Sequence, residues 1–84
     1  MDDVEVYLNS LGIEYTNSGY YEKAIESFTE AISINPENSI FHFNKALVYE
    51  KIGNLTEAAE CINQSIKLKP ENDTFWNEMG LVKY

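Results

Sequence analysis

Apolar residues recur along this chain three and four positions apart, which is the spacing of one face of an α-helix. The first such stretch is formed by Leu8, Leu11, Gly12 and Tyr15. The next is formed by Ala24, Ile25, Phe28, Ala31 and Ile32. Polar residues occupy most of the positions between them, and the pattern returns further along the chain. It predicts helices over residues 3–17, 21–34, 39–51, 55–68 and 73–84.

Residues that end or cap helices stand between these segments. Gly19 and Gly53 occur where the first and third helices should stop, because glycine adopts the left-handed conformation at a helix C-terminus without a Cβ clash. Pro36 and Pro70 follow the second and fourth helices, which they cannot continue. The expected N-terminal caps are Asp2, Asn38, Asn54 and Asn72. The chain is therefore expected to be all-α.

The sequence also repeats at a spacing of 34 residues. Identical residues at this spacing include the pairs Tyr15 and Tyr49, Gly19 and Gly53, Ala24 and Ala58, Ile32 and Ile66, and Pro36 and Pro70. The chain thus holds two units, at about residues 5–38 and 39–72, and the first helix of a third unit at 73–84. We expect a single domain over residues 1–84 that is a fragment of a longer array.

The repeated positions resemble the tetratricopeptide repeat (TPR) family, whose unit has Trp, Leu-Gly, Tyr, two small Ala, a large aromatic residue and Pro at fixed places. The first unit matches with Leu8, Leu11, Gly12, Tyr15, Gly19, Ala24, Phe28, Ala31 and Pro36. The second matches with His42, Ala46, Tyr49, Gly53, Ala58, Ile62, Ser65 and Pro70. The resemblance covers the chain after Asp3. It implies a right-handed superhelical solenoid of antiparallel helix hairpins, with about five helices.

Some positions follow the family pattern for a physical reason and others depart from it. Gly12, Ala46 and Gly80 are small where the two helices of a hairpin should approach closely. Lys45 stands where the family has Leu, and its stem should lie on the apolar face with the ammonium group at the water. Lys83 stands where the family has a packing Tyr.

The charge balance excludes several classes of partner. The chain has 14 acidic residues against 6 basic ones, all of them Lys, for a net charge of −8. A nucleic-acid surface needs a basic stripe, and so does binding to an anionic membrane. We expect neither partner. Cys61 is the single cysteine and no N-terminal secretion signal is evident, so the expected compartment is the cytoplasm.

No catalytic or metal site is expected from the titratable residues. His42 occupies a packing position, while Cys61 should lie off the apolar stripe of its helix, so the two should not share a face. One His and one Cys cannot assemble a zinc site. Glu22, Glu26 and Glu30 share one helix face and are typical of a solvated outer surface. We therefore expect no enzyme activity, no metal and no cofactor.

The first helix of each unit is apolar on a second side as well. In the TPR family this side lines a concave groove that holds extended peptides or helices. The resemblance therefore implies a peptide-binding set made of Asn9, Ile13, Asn17, Ile40, Phe43, Asn44, Leu47, Lys51, Asn77 and Leu81. The alternative is that the apolar members of this set only pack helix on helix along the array.

One TPR subclass holds the acidic C-terminal tails of heat-shock chaperones with a clamp of Lys, Asn and Arg. Asn44 matches one clamp position. The other positions hold Asn9, Ile13, Thr74 and Glu78, and Glu78 would repel a carboxylate. We expect a partner protein or peptide that is apolar, with neutral or basic flanks.

Two functional hypotheses remain open. The first is a protein–protein interaction module that binds a peptide or helix of a partner in the groove and performs no chemistry. The second is an assembly module that forms a homo-oligomer through its uncovered last helix. The self-association residues would be Trp76, Leu81 and Val82.

Overall fold

The computed structural model describes residues 3–81, and over that range the chain forms five α-helices and no strand. The helices are α1 (Val4–Ser18), α2 (Tyr21–Ile34), α3 (Ser39–Lys51), α4 (Leu55–Leu68) and α5 (Asp73–Leu81). The bounds predicted for α2, α3 and α4 are confirmed, and α1 is displaced by one residue. The predicted extension of α5 to residue 84 lies outside the described residues.

Consecutive helices pack as hairpins that stack on one another. α1 packs on α2, and α3 packs on α4. α2 then contacts α3 and α4 contacts α5, which joins each hairpin to the next unit. The expected all-α solenoid is confirmed. Within the described range, no helix is both long enough and apolar enough to cross a membrane.

The core consists of two clusters that each cross a repeat boundary. In the first cluster, Val48 of α3 is buried together with Ala24 and Phe28 of α2. In the second, Phe75 of α5 is buried among residues of the second hairpin, which are Ala46, Ala58, Ala59, Ile62 and Ile66. Each hairpin therefore completes its apolar core with a residue of the following unit, as expected for a repeat array.

The helices of the first hairpin touch at Gly12. A Cβ atom added there would lie 2.6 Å from Cε1 of Phe28, which is too close for any real contact. Ala46, the corresponding residue of the second hairpin, is fully buried. Gly80 differs, since an added Cβ would meet nothing within 4 Å among the described residues. The predicted close approach is thus confirmed at Gly12, while at Ala46 the structure shows burial.

The ends of the helices follow from local side-chain chemistry. Gly19 and Gly53 have φ angles of 86° and 84°, in the left-handed region. The side chains of Asn38, Asn54 and Asn72 accept hydrogen bonds from backbone N–H groups in the first turns of α3, α4 and α5. The start of α1 differs from the prediction. Its N-cap is Asp3, which makes no side-chain capping bond, and the expected cap Asp2 lies outside the described residues.

Candidate functional site

A shallow cavity of about 250 Å³ lies between α1 and α3. We call it the α1–α3 cavity. It is lined by Ile13, Thr16, Asn17, Phe28, Asn44, Leu47 and Lys51. Thr16 and Phe28 are not among the residues that the sequence pattern predicts for the site. Thr16 lies one helical turn beyond Ile13 on the same face, so the period of α1 contained the information needed to find it. Phe28 reaches the cavity from α2, which only the packing of the hairpin reveals.

Two asparagine side chains are held together at one side of this cavity. Nδ2 of Asn44 donates a hydrogen bond to Oδ1 of Asn9 at 2.9 Å, which links α3 to α1. Each amide carries two N–H donors and one oxygen acceptor. The pair therefore keeps donors on Asn9 and an acceptor on Asn44 for other groups. An apolar depression beside spare amide groups can hold an apolar side chain while bonding the backbone that carries it.

The other predicted groove residues are found outside the α1–α3 cavity. Phe43 is half-buried, with its ring centroid 4.9 Å from that of Phe75, so much of the ring is used to dock α5 on α3. Ile40 and Asn77 are exposed on α3 and α5. The side chain of Leu81 lies outside the described residues. The cavity thus brings together Ile13, Asn17, Asn44, Leu47 and Lys51 from the predicted set.

Two glutamates meet at the next repeat boundary, between α3 and α5. Glu78 of α5 is partly buried and hydrogen-bonded to the side chain of Glu50 of α3. Burial, this bond and the repulsion between the two carboxylates raise the pKa of Glu78 to about 7. Because the repeat is 34 residues long, Glu50 corresponds to Thr16 and Glu78 to Asn44 of the α1–α3 cavity. We call this pair the acidic step.

The positions of His42 and Cys61 correct the sequence analysis. Cys61 is half-buried and packs against the second core cluster. It also lines, together with His42 and Lys45, a second cavity of about 210 Å³. The predictions that Cys61 lies off the apolar stripe and that it shares no face with His42 are therefore wrong. Sequence periodicity missed this because α2, α3 and α4 converge at that point.

The second cavity is poorly suited to thiol chemistry. Burial raises the pKa of the Cys61 thiol, and the nearby ammonium group of Lys45 offsets this only in part. A thiol with a raised pKa is a weak nucleophile, because the thiolate is the reactive form. In the described part of the chain, no three His, Cys, Asp or Glu side chains are placed to hold a metal ion.

His42 and Trp76 occupy corresponding positions of successive units, and each ring contacts the carbonyl oxygen of the preceding proline. Nε2 of His42 lies 3.0 Å from the carbonyl oxygen of Pro36, and Nε1 of Trp76 donates to the carbonyl oxygen of Pro70 at 2.8 Å. Each ring therefore ties the start of a unit to the turn that precedes it. His42 is half-buried in this role, whereas Trp76 remains 54% exposed.

Comparisons of the sequence with known proteins support the repeat assignment. A family model described as TPR repeat matches residues 12–53, and one described as Tetratricopeptide repeat matches residues 39–72. An uncharacterised protein of Methanocaldococcus jannaschii is 43% identical over 47 residues, which cover 56% of this chain and 55% of that protein. The chain therefore matches only about half the length of this relative.

Three solved structures have the same fold. The Sgt2 TPR domain from Aspergillus fumigatus has a TM-score of 0.89 and 32% identity over 93% of this chain and 52% of that one. The first TPR of Spaghetti (RPAP3), bound to the HSP90 peptide SRMEEVD, has a TM-score of 0.90 at 22% identity, covering 94% of this chain and 63% of its own. The second TPR of the same protein, bound to the same peptide, has a TM-score of 0.90 at 26% identity, and the match covers 94% of this chain and 73% of that one.

Proposed function

The chain belongs to the tetratricopeptide repeat family, and we propose that it is a protein-interaction module that binds a peptide or helix of a partner protein. The binding site is the groove formed by α1, α3 and α5. The observation that carries the proposal is the α1–α3 cavity, where the apolar side chains of Ile13 and Leu47 lie beside the amides of Asn17 and Asn44. The binding involves no chemical step.

The fold of the module is compatible with peptide binding, since structural neighbours were solved with an HSP90 peptide bound. The acidic peptide of those complexes is a poor match for this chain. Glu50 and Glu78 occupy one end of the groove, and the whole chain carries a net charge of −8. The proposed ligand is an apolar segment with neutral or basic flanks, because like charges would repel an acidic tail.

The expected affinity is modest. A groove built on so few helices should bury less than about 1,200 Å² in total, which is the range of weak or transient contacts. Dissociation constants of micromolar order or weaker are expected, which corresponds to roughly −6 to −8 kcal/mol.

The test is a displayed library of random peptides of about 12 residues, selected on the wild-type chain and then measured on two variants. Ile13→Lys places a charge in the α1–α3 cavity, and Ile34→Lys makes the same change on α2, outside that cavity. The two isoleucines are 41% and 51% exposed, so neither substitution should unfold the chain. Selected peptides should lose at least about tenfold in affinity on Ile13→Lys only. Equal binding to both variants would contradict the proposed site.

Self-association through α5 is a second candidate function, favoured by the exposed ring of Trp76. The other two residues of that hypothesis, the side chain of Leu81 and the whole of Val82, lie outside the described residues. Trp76→His is the best test, because His42 makes the corresponding bond to Pro36 and the variant should keep the tie to Pro70. A mass that rises with concentration in the wild type and not in this variant would support assembly. A monomeric wild type would exclude it.

A further inference from the structure

One side of α1 is apolar and is left largely uncovered by the other described helices. Tyr7 is 65% exposed on this side, and Val4 beside it is 46% exposed. Leu11, one turn further along α1, is half-buried. These three residues are three and four positions apart, so they share one side of the helix. We call them the α1 outer face. Ile13, which lines the α1–α3 cavity, lies on a different side.

The repeat shows what covers the corresponding face in the other two units. Tyr7 corresponds to Phe41 of α3 and to Phe75 of α5. Those rings are only 3% and 1% exposed, because α3 packs on α2 and α5 packs on α4. Four of the five buried residues around Phe75 belong to α4, namely Ala58, Ala59, Ile62 and Ile66. Tyr7 therefore stands at a position that, elsewhere in this chain, the second helix of a preceding hairpin covers.

The side chains of α4 explain why this helix can receive an aromatic ring. Ala58 and Ala59 are small and leave room for the ring, while Ile62 and Ile66 supply apolar surface one and two turns later. Positions i, i+1, i+4 and i+8 lie on one stripe of a helix. At the first boundary Ala24 and Phe28 of α2 hold the positions of Ala58 and Ile62, and they pack against α3.

Charge distinguishes between the possible occupants of the α1 outer face. Glu14 is exposed beside this face, at the position that corresponds to the buried Val48. A second copy of the chain would bring another net charge of −8 to this place. The α2 and α4 helices of such a copy are also already packed on its own α3 and α5. A neutral or basic helix of another protein meets neither obstacle.

We propose that the α1 outer face binds an amphipathic helix of a partner protein. This helix carries a stripe like that of α4, with a small residue followed by aliphatic residues four and eight positions later, and it has no net negative charge. The surface lies on a different side of α1 from the peptide groove. The inference therefore does not depend on the proposed function.

The probe is a peptide with the sequence of residues 54–69, which contains α4 and its capping residue Asn54. A lactam bridge between Glu60 and Gln64→Lys keeps the peptide helical, because isolated helices of this length are marginal in water. Both positions are exposed on α4 and so lie outside the stripe. Cys61→Ser prevents disulfide formation between peptides.

Binding is measured from the NMR shifts of backbone amide groups in the isotope-labelled chain, with the probe raised to about 1 mM so that weak contacts are detected. The wild type is compared with Tyr7→Lys, and with Ile13→Lys on the groove side. Tyr7→Phe is the matched control, because phenylalanine is the residue of the other two units. Both substituted residues are exposed, so the variants should keep the fold, which circular dichroism checks. The control peptide carries Ile62→Lys, which places a charge in the stripe.

We expect saturable shifts at the α1 outer face in the wild type, in Tyr7→Phe and in Ile13→Lys. Binding to Tyr7→Lys should be at least about tenfold weaker, and the control peptide should not bind. The inference would be overturned by an absence of shifts at the highest probe concentration, by equal binding of the control peptide, or by shifts confined to the groove or to α5. Signals of the α1 outer face that change with the concentration of the chain alone would assign this face to a second copy, and would overturn it as well. Each of these results leaves the proposed function standing.

Discussion

Gly12 and Phe28 pack closely against each other in the first hairpin. The ring of Phe28 is almost fully buried and occupies the space that any side chain on residue 12 would need. Phe28 also lines the α1–α3 cavity, so the same contact shapes the core and the candidate binding site. A change at this contact should affect both.

Gly12→Ala should therefore lower stability by about 1–3 kcal/mol, the usual cost of overpacking a core. The added methyl group would lie 2.6 Å from the Phe28 ring and force it to move. Gly80→Ala is the matched control, because the same methyl group would meet no described atom within 4 Å. Thermal denaturation followed by circular dichroism measures both. Equal melting temperatures for the two variants would contradict the observed packing.

Gly53 provides a different test, in which backbone conformation alone is at issue. Its φ angle is 84°, and a Cβ atom there would contact nothing within 4 Å. Gly53→Val should cost about 1–2 kcal/mol, because a β-branched residue is strained in the left-handed region. Gly53→Asn should cost clearly less, since asparagine tolerates that region better. Urea denaturation measures the free energy of unfolding of the two variants. A Gly53→Val variant as stable as the wild type would contradict the prediction.

α5 is held on the second hairpin chiefly through the ring of Phe75. The ring of Phe75 is buried among residues of α3 and α4, and the Phe43 ring packs against it. The acidic step lies on the same pair of helices, α3 and α5. Phe43→Ala would therefore disturb the docking of α5 as well as the groove. For this reason Ile13, and not Phe43, is the better residue with which to test peptide binding.

The acidic step should make the docking of α5 depend on pH. The pKa of Glu78 is raised to about 7 in the folded chain, so the folded state binds this proton more tightly than the unfolded state does. The stabilising contribution is complete below the usual pKa of glutamate and is lost as the pH rises through about 7. Solvent screens this partly exposed pair, so we expect a loss of only about 0.5 kcal/mol between about pH 4 and pH 8.

Glu78→Gln should remove most of this pH dependence, because the amide cannot ionise. Melting temperatures of the wild type and the variant, measured from about pH 4 to pH 8, should converge at low pH and separate by roughly 2–4 °C at high pH. The variant should be the more stable protein at high pH. The control Glu30→Gln changes the same charge on an exposed site of α2 and should keep the wild-type slope. If the melting temperature of the Glu78→Gln variant depended on pH as strongly as that of the wild type, the acidic step would be excluded as the cause of the pH dependence.

At the scale of the whole molecule, each hairpin is stabilised by contacts with the next unit, and the chain as a whole carries an excess of negative charge. Val48 and Phe75 complete the cores of preceding units, so the units should unfold together rather than separately. The net charge of −8 opposes compaction. The one ion pair found in residues 3–81 is exposed and offsets little of this repulsion.

Added salt should therefore stabilise the fold by screening the repulsion among the acidic residues. Raising the ionic strength from about 0.01 M to 0.15 M shortens the screening length from about 30 Å to 8 Å, and the melting temperature should rise by a few degrees. The double variant Glu26→Lys with Glu30→Lys has less net negative charge and should respond less. A melting temperature that falls with salt would indicate that attractive ion pairs dominate instead.

The sequence by itself determined the repeat, the helical character of each segment and the bounds of α2, α3 and α4. Apolar periodicity, the left-handed glycines and the capping asparagines act within a few residues of one another, so they can be recognised without a structure. The resemblance to the repeat family also implied a shared face for Ile13, Asn44 and Leu47, which the α1–α3 cavity brings together. These signals involve residues that are close in sequence or that recur at a fixed spacing. They can therefore be recognised from the sequence alone.

Only the tertiary structure decided which side chains meet across helices. The stacking of Phe43 on Phe75, the shared cavity of His42 and Cys61, and the pairing of Glu50 with Glu78 each join residues of different helices. Helical spacing gives the face on which a residue lies but not the distance or angle at which another helix approaches it. Those depend on the packing of the whole core, and small residues such as Gly12 help to set them.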